Sequence, residues 1–310
     1  KLMEILLQFL LLALGFVMLG KGADWFVEGA AALATRFGIP QLVVGLTIVA
    51  MGTSAPEAAV SIAAAMKGSA DITIGNIVGS NILNILIILG MAAAITPLAV
   101  ARSTVRVEMP FMIAITVLLF VQGRDGSISL ADGLVLAAAF LVYLFYLYKM
   151  AMKNNVDDEL QEAGLPVGRC LVGAVGGLAL IILGSNVTVG AATEIAKYAG
   201  LSERFIGLTI VALGTSLPEL FTSVAAARRG NADIAIGNIV GSNIFNILFV
   251  VGLSAMIIDI PFAAAFNFDT CVAIGAAVLL WLCVLRTQRL ARWGGLLMLG
   301  CYAVYLWWIL

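Results

Sequence analysis

Apolar runs of about 20 residues recur along the whole chain, and they constrain its fold more than any other feature of the sequence. An α-helix of that length is what is needed to cross a hydrocarbon core about 30 Å thick. Hydrophobic residues make up 62% of the 310 positions and charged residues only 11%, which is far from the balance of a soluble domain. The sequence therefore predicts an all-α integral membrane protein. Its first run, 2–20, has no cleavage pattern behind it, so we expect a retained helix and not a signal peptide.

A single shift of 162 residues aligns the chain with itself. Positions 45–90 and 207–252 are identical at 32 of 46 places, which indicates an internal duplication. The one extended polar segment lies between the two copies. We therefore predict a first five-helix repeat over 1–152, a cytoplasmic linker over 153–166 and a second five-helix repeat over 167–310.

Each half contains five predicted spans. They are 3–35, 40–66, 71–96, 105–122 and 129–149, then 168–198, 202–227, 233–258, 267–285 and 291–309. Because five is odd, the second copy must enter the membrane from the opposite side, so the prediction is ten transmembrane helices in two inverted-topology repeats. With the N-terminus outside, 11 basic residues lie at inner loops and 5 at outer ends. We expect a multi-pass protein of the cell (inner) membrane with both termini extracytoplasmic.

Two short motifs place a proline and a carboxylate inside apolar runs. They read GTSAPE at 52–57 and GTSLPE at 214–219. Pro56 and Pro218 each remove a helical hydrogen-bond donor and collide with the carbonyl four residues back. A broken helix at membrane depth persists only where it lines a cavity or binds something. The motifs therefore predict broken helices at the bilayer midplane around a binding site.

Oxygen-bearing side chains surround both breaks and continue along one face of the next span. At the breaks they are Thr53, Ser54 and Glu57, and Thr215, Ser216 and Glu219. On the following spans they are Asn76, Ser80 and Asn84, and Asn238, Ser242 and Asn246, each set spaced four residues apart on one helix face. Such hard oxygen donors favour a cation.

The charge of the two glutamates indicates which cation. A carboxylate at the bilayer centre is costly, and one divalent ion between Glu57 and Glu219 neutralises both. Calcium accepts six to eight oxygen ligands in flexible geometry, whereas magnesium gives up its water reluctantly. The chain has no histidine and no cysteine near the motifs, which disfavours a transition metal.

Each of these residues also has a structural interpretation. Glu57 or Glu219 could pair with Lys21, the one clear base inside a span. Asn84 and Asn246 could instead form interhelical hydrogen bonds, and the serines could bond back to their own helix.

Six further residues are interpreted as structural. The four cysteines have no metal or disulfide spacing and are expected to be buried packing residues, and Asp24 and Glu28 have no acidic counterparts in the second copy. The cysteines are Cys170, Cys271, Cys283 and Cys301.

The two motif pairs, GTSAPE with GNIVGSNILN and GTSLPE with GNIVGSNIFN, resemble the alpha repeats of the sodium/calcium exchanger family, prokaryotic type, within the cation/calcium antiporter superfamily. The resemblance extends over the whole chain. It implies ion ligands at Thr53, Ser54, Glu57, Ser80, Asn84, Thr215, Ser216, Glu219, Ser242 and Asn246, with backbone carbonyls at Ala50 and Ala212. Some members have Asp at the position of Asn246, so Asn here implies two formal negative charges and weakens the case for co-transported potassium.

The resemblance implies a secondary antiporter that extrudes calcium with the sodium gradient by alternating access, the spans 3–35 and 168–198 sliding as a pair. A calcium/proton antiporter is the alternative, because burial favours protonated carboxylates. A calcium channel is a second alternative, and it would be distinguished by calcium flux that requires no counter-ion. An enzyme is not expected, since the motif serines lack a base. We expect no cofactor, no nucleic acid and no obligate protein partner; the expected partners are calcium and sodium ions and the lipid bilayer.

Overall fold

The computed structural model describes residues 2–66, 71–153, 166–200 and 212–309. Residues 154–165 of the predicted linker, and the first ten residues of the predicted span 202–227, lie outside the described residues. The α-helices of the first half are α1 (Leu2–Arg36), α2 (Gln41–Val44), α3 (Ala50–Thr53), α4 (Ala55–Met66), α5 (Asp71–Leu83), α6 (Gly90–Ile95), α7 (Met109–Gln122) and α8 (Leu130–Lys153). Those of the second half are α9 (Val167–Tyr198), α10 (Ala212–Thr215), α11 (Leu217–Arg228), α12 (Ala232–Phe245), α13 (Gly252–Ile257), α14 (Ala265–Val284) and α15 (Arg292–Ile309).

Several of these helices are joined by π-helical segments, so that long spans run through more than one element. Segment π1 (Gly45–Val49) joins α2 to α3, π2 (Asn84–Leu89) joins α5 to α6, π3 (Thr104–Glu108) precedes α7, and π4 (Asn246–Val251) joins α12 to α13. Segments of this kind are rare and are frequent at functional sites. Here two of them begin at asparagines that the sequence places in the site.

Seven of the described helices are long and apolar enough to cross a membrane, or eight if the bent pair around Ser54 is one span. The structure thus confirms a helical membrane protein in this coarser form. Of the other predicted spans, 202–227 begins outside the described residues, and 291–309 coincides with α15, an 18-residue helix that is not among those seven.

Helices α1 and α9 pack together along their lengths because glycines let their backbones touch. A Cβ atom at Gly22 would lie 2.9 Å from the carbonyl oxygen of Gly177, and one at Gly177 would lie 2.5 Å from the nitrogen of Phe26. Real side chains do not approach so closely, so larger residues would force the helices apart. Tyr198 at the end of α9 donates a hydrogen bond to Glu4 at the start of α1, 2.9 Å away, so the helices are antiparallel.

The core of the molecule lies around two central spans, one from each half. In their most apolar windows, 94% of the residues of Ala232–Ile257 and 78% of those of Thr73–Ile95 are buried. In the other candidate spans that share is between 11% and 44%. The outer helices therefore present apolar side chains to lipid, while these two are enclosed by protein on nearly all sides.

Close backbone contact also brings the first broken helix against the central span of the second half. A Cβ atom at Gly237 would lie 3.0 Å from the Cα of Gly45, and one at Gly241 would lie 2.8 Å from the carbonyl oxygen of Leu46. The G-x-x-x-G spacing of α12 therefore serves contact between the halves.

Two very short strand pairs, which the sequence analysis does not predict, connect loops of the first half to loops of the second. Strand β1 (Leu98–Ala99) pairs antiparallel with β4 (Arg289–Leu290), and β2 (Ser127–Ile128) pairs with β3 (Ile260–Pro261). The partners are Leu98 with Leu290 and Ile128 with Ile260. A shift of 162 residues converts one pair into the other. We call these two pairs the cross-half ribbons.

The cysteine prediction is right in part. Cys170 is buried, whereas Cys283 and Cys301 are half-buried and Cys271 on α14 is exposed. An outer helix that faces lipid has no need to bury an apolar thiol, and this explains the error.

Candidate cation site

The first break in the structure falls where the sequence predicts it. The helix pair Gln41–Thr53 and Ala55–Met66 is bent by 51°, and Ser54 between them has φ −83° and ψ 4°. Pro56 supplies no N–H to close the helical hydrogen bond at this point. Ser216, ahead of the second proline, has nearly the same conformation, with φ −92° and ψ 3°. Both copies of the motif therefore interrupt a helix in the same way.

The two glutamates behind the breaks face each other across the halves. Glu57 and Glu219 are each only 1% exposed, and their charges repel one another. The hydroxyl of Ser54 donates a hydrogen bond to Oε1 of Glu219 at 2.7 Å, which links the first break directly to the second carboxylate. Oε2 of each glutamate is buried and has no hydrogen-bond partner within the described residues. Two uncompensated carboxylate oxygens are thus held inside the protein.

Two asparagines at the start of π2 and π4 add a second pair of unsatisfied oxygens. Nδ2 of Asn84 donates to Oδ1 of Asn243 at 2.9 Å, and Nδ2 of Asn246 donates to Oδ1 of Asn81 at 3.1 Å. Oδ1 of Asn84 and of Asn246 is buried, and no residue in the described part of the chain forms a hydrogen bond with it. Because α4 packs against π4 and α11 packs against π2, each asparagine lies beside the helix that carries the other half's glutamate.

Hydroxyl groups surround these oxygens, and several of them connect the two halves. The hydroxyl of Ser242 donates to the carbonyl of Ala50 at 3.4 Å, and Thr53 Oγ1 lies 3.0 Å from Oδ1 of Asn238. The Ala50 carbonyl also accepts the backbone N–H of Ser54 at 3.0 Å. This predicted carbonyl ligand therefore already has protein partners in the structure.

The remaining predicted ligands differ in how deeply they are buried. Ser80 and Ser216 are buried, and the hydroxyl of Ser216 has no hydrogen-bond partner in the part of the chain that the structure describes. Thr215 is half-buried at the end of α10, and Ala212 is the residue at which α10 begins.

Comparisons with known proteins decide the family. A family model described as "Sodium/calcium exchanger protein" matches residues 7–149 and 170–310. The inner membrane protein YrbG of Escherichia coli is 39% identical over 97% of this chain and 96% of its own length. The sodium/calcium exchanger MaX1 of Methanosarcina acetivorans is 32% identical over 97% and 98%.

A solved structure gives the same answer. The sodium-calcium exchanger NCX_Mj soaked with 2.5 mM Na+ and 10 mM Sr2+ superposes with a TM-score of 0.85 and 33% identity, over 97% of this chain and 98% of that one. The chain belongs to the sodium/calcium exchanger family. The resemblance stated from the motifs is confirmed, and the chain is an antiporter of that family, which comprises transporters and not enzymes.

In this family member, the structural interpretations of the site residues find only partial support. Lys21 is exposed on α1, and within the described residues neither Glu57 nor Glu219 forms an ion pair. Asn84 and Asn246 do form interhelical hydrogen bonds, but only through Nδ2, so their oxygens stay available.

Asp24 and Glu28 on α1 form ion pairs with an arginine and not with residues of the candidate site. Arg229, just after α11, contacts Asp24 at 3.4 Å and Glu28 at 3.2 Å. These side chains are between 34% and 51% exposed, so the contact is a surface ion pair. The sequence interpretation of Asp24 and Glu28 as structural agrees with this geometry.

Sequence reasoning missed Asn81 and Asn243, which occupy the centre of the site. Each is the asparagine of a G-S-N triplet, and each lies three residues before a predicted ligand, on a neighbouring part of the helix surface. They are also identical between the copies. The four-residue spacing that relates the predicted ligands does not include these residues, which lie three positions away.

The donor set is suited to a hard cation. Within the described ranges, no group of three or more His, Cys, Asp or Glu side chains could hold a metal. What converges instead is two carboxylates, two amide oxygens and several hydroxyls, the oxygen chemistry that calcium and sodium accept.

Proposed function

We propose that this antiporter binds calcium and sodium in alternation at this site and extrudes calcium with the inward sodium gradient. One observation carries the proposal: four buried oxygens at equivalent positions of the two halves have no hydrogen-bond partner among the residues that the structure describes. They are Oε2 of Glu57 and Glu219 and Oδ1 of Asn84 and Asn246. Unsatisfied buried oxygens are costly, and a bound cation satisfies all four at once.

The proposed ligands are those of the sequence analysis. They are Ala50, Thr53, Ser54, Glu57, Ser80 and Asn84 in the first half, and Ala212, Thr215, Ser216, Glu219, Ser242 and Asn246 in the second. Two carboxylates give two formal negative charges, which one calcium ion balances and which sodium ions balance only in numbers. Since the same two glutamates serve both ions, the ions cannot occupy them together, and binding of one requires release of the other.

We further propose the architecture of ten spans, with the first repeat over 1–152, the linker over 153–166 and an inverted second repeat over 167–310. Two sets of cross-half contacts support this arrangement because each contact in them has a twin after a shift of 162 residues. One set is the cross-half ribbons, and the other is the pair of hydrogen bonds from Asn84 to Asn243 and from Asn246 to Asn81. Reciprocal contacts of this kind are those of a two-fold axis. They agree with an axis in the membrane plane.

Alternating access is proposed to come from movement of α1 and α9 as a unit. The pair touches both breaks: Ser185 on α9 donates to the carbonyl of Gly214 at 2.8 Å, and a Cβ atom at Gly52 would lie 3.1 Å from Leu178. Their tight glycine packing holds the two helices together. A shift of the pair would therefore change how each break is covered.

The location proposed is the inner membrane with both termini extracytoplasmic and the linker cytoplasmic. The Escherichia coli relative is named as an inner membrane protein, which supports the membrane assignment. The excess of basic residues at the inner loops supports the orientation. A tag at the N-terminus should react with a membrane-impermeant reagent in spheroplasts, and protection of the tag there would reverse the orientation.

Flux measurements test the function. Proteoliposomes loaded with sodium and held at equal pH on both sides should take up radioactive calcium, and those without a sodium gradient should not. Uptake driven by a proton gradient alone would instead favour calcium/proton exchange, and flux without any counter-ion would indicate a channel. Glu57→Gln protein serves as the matched control for leak.

A further inference from the structure

Two chains of hydrogen bonds cross between the halves at the centre of the site. In the first, Nδ2 of Asn81 donates to the backbone carbonyl of Asn243 at 3.3 Å, and Oδ1 of Asn81 accepts from Nδ2 of Asn246 at 3.1 Å. In the second, Nδ2 of Asn243 donates to the backbone carbonyl of Asn81 at 3.2 Å, and its Oδ1 accepts from Nδ2 of Asn84 at 2.9 Å. All four side chains are at most 4% exposed. We call these chains the amide relays.

Each relay leaves only one orientation for the ligand amide at its end. A backbone carbonyl can only accept, so the atom of Asn81 that faces it must be Nδ2. Oδ1 of Asn81 then faces Asn246 and can only accept, so Asn246 must present Nδ2 to it. The oxygen of Asn246 is left on the other side, buried and without a partner in the described ranges. The second relay fixes Asn84 in the same way.

We propose that Asn81 and Asn243 are positioning residues that hold the amide oxygens of Asn84 and Asn246 toward the cation. This inference rests on the proposed function of the site. An asparagine side chain has nearly the same shape after a half-turn of its amide, but the half-turn exchanges an acceptor for a donor. A donor facing a cation repels it. The relays exclude that half-turn in both ligands, so they favour cation binding without touching the ion.

The relays also couple the halves. The oxygen of Asn246 in the second half is oriented by Asn81 of the first, and Asn81 is in turn oriented by the backbone of the second half. Neither copy of the motif can orient its own ligand amide. The ligand set of each half is therefore complete only in the presence of the other.

A carboxylate at the ligand position provides a sharp test, because both of its oxygens are acceptors and a half-turn changes nothing. Asn81→Leu, which keeps a similar volume, should raise the calcium KM about tenfold in the wild-type background with little change in maximal rate. In the Asn246→Asp background the same substitution should change the calcium KM less than about threefold. A residue with a merely structural role would have the same effect in both backgrounds.

The mirror experiment uses Asn243→Leu with and without Asn84→Asp. Thr116→Val is the matched control, since it removes a buried 2.7 Å hydrogen bond to the carbonyl of Met112 outside the site and should leave the calcium KM unchanged. Thermal unfolding checks that each variant is folded, and Asn81→Ala carries the same test if the leucine variant does not fold.

Calcium binding to the purified protein, measured by titration without any sodium gradient, separates the two hypotheses. Wild-type protein that binds calcium, with Asn81→Leu weakened only in the Asn246 wild-type background, supports the relays. Equal weakening in both backgrounds, or none in either, overturns the positioning role while the proposed function stands. Wild-type protein that binds no calcium overturns the proposed function and this inference with it.

Discussion

Glu108 is buried as deeply as Glu57 and Glu219, but its surroundings are of a different kind. It ends π3 and is 0% exposed, and Tyr146 on α8 donates a hydrogen bond to its Oε1. Its Oε2 is unpaired, as in the site glutamates. Among the described residues no second carboxylate opposes it, however. The residue 162 positions further on is Thr270, whose hydroxyl donates to the carbonyl of Phe266 at 2.7 Å.

The comparison teaches that burial of an acid does not by itself identify an ion site. At Glu57 and Glu219, two breaks and two π-helical starts from opposite halves pack together, and four buried oxygens there have no hydrogen-bond partner among the described residues. At Glu108 the hydrogen-bond partner is aromatic and belongs to the same half: Tyr146 donates to it and stacks with Tyr143. The packing of equivalent elements from both halves distinguishes the site, whereas Glu108 has the surroundings of a structural hydrogen-bond acceptor.

The largest effect is expected from substitution of a site glutamate, and the same substitution at Glu108 serves as the control. Glu57→Gln or Glu219→Gln removes half of the site's negative charge. Either substitution should lower sodium-driven calcium uptake by about 100-fold or more, because the one remaining carboxylate cannot neutralise a divalent ion. Glu108→Gln keeps an acceptor for Tyr146 and should retain uptake within about threefold. Radioactive calcium uptake in proteoliposomes measures both. Wild-type exchange in either site variant would contradict a shared site.

A smaller effect is expected from adding a third acid where the two glutamates already meet. Asn246→Asp introduces a negative charge and removes the donor to Oδ1 of Asn81. We expect the sodium, potassium or proton dependence of calcium uptake to shift by roughly tenfold in half-saturating concentration, more than the maximal rate changes. Uptake measured across counter-ion series checks this. An unchanged response to all three ions would place Asn246 outside the site.

Removal of the donor to Glu108 should affect stability and not transport. Tyr146→Phe leaves a buried carboxylate oxygen without its partner and should reduce the free energy of unfolding by about 1–3 kcal/mol. The calcium KM should stay within about twofold. Thermal unfolding and uptake on the same preparation separate the two. A large change in KM with unchanged stability would mean that Glu108 takes part in ion handling.

The smallest effect is expected at the surface ion pair of α1. Arg229→Ala removes contacts to Asp24 and Glu28 that are partly exposed, so the free energy of unfolding should fall by less than about 1 kcal/mol. The difference should shrink further at high salt. Thermal unfolding at low and high ionic strength tests it. A loss of transport here would show that the pair has more than a local role.

Much of the fold follows from the sequence because its main signals are local. The long first spans, predicted at 3–35 and 168–198, are helices Leu2–Arg36 and Val167–Tyr198. The break at Ser54 follows from the proline two residues later, since a missing donor acts within one helical turn. The family follows from the paired motifs, which are specific.

What the sequence could not give depends on contacts between distant residues. The direction of each ligand amide is decided by Asn81 and Asn243, and their role is evident only when the opposite half is in place. The cross-half ribbons are two residues long, too short to produce an alternating pattern. Glu108 could not be recognised from the sequence, because a single acid without a counterpart in the other copy is not part of a motif.

The cross-half ribbons have a consequence for how the duplicated halves can diverge. Leu98 meets Leu290 and Ile128 meets Ile260, so each strand of one copy pairs with the non-equivalent strand of the other. Two identical half-length chains could form the same contacts as a homodimer. In the fused chain the two halves mutate separately. A substitution at one cross-half ribbon or amide relay must therefore remain compatible with a partner residue that has not changed. Divergence is therefore freest where the halves do not meet.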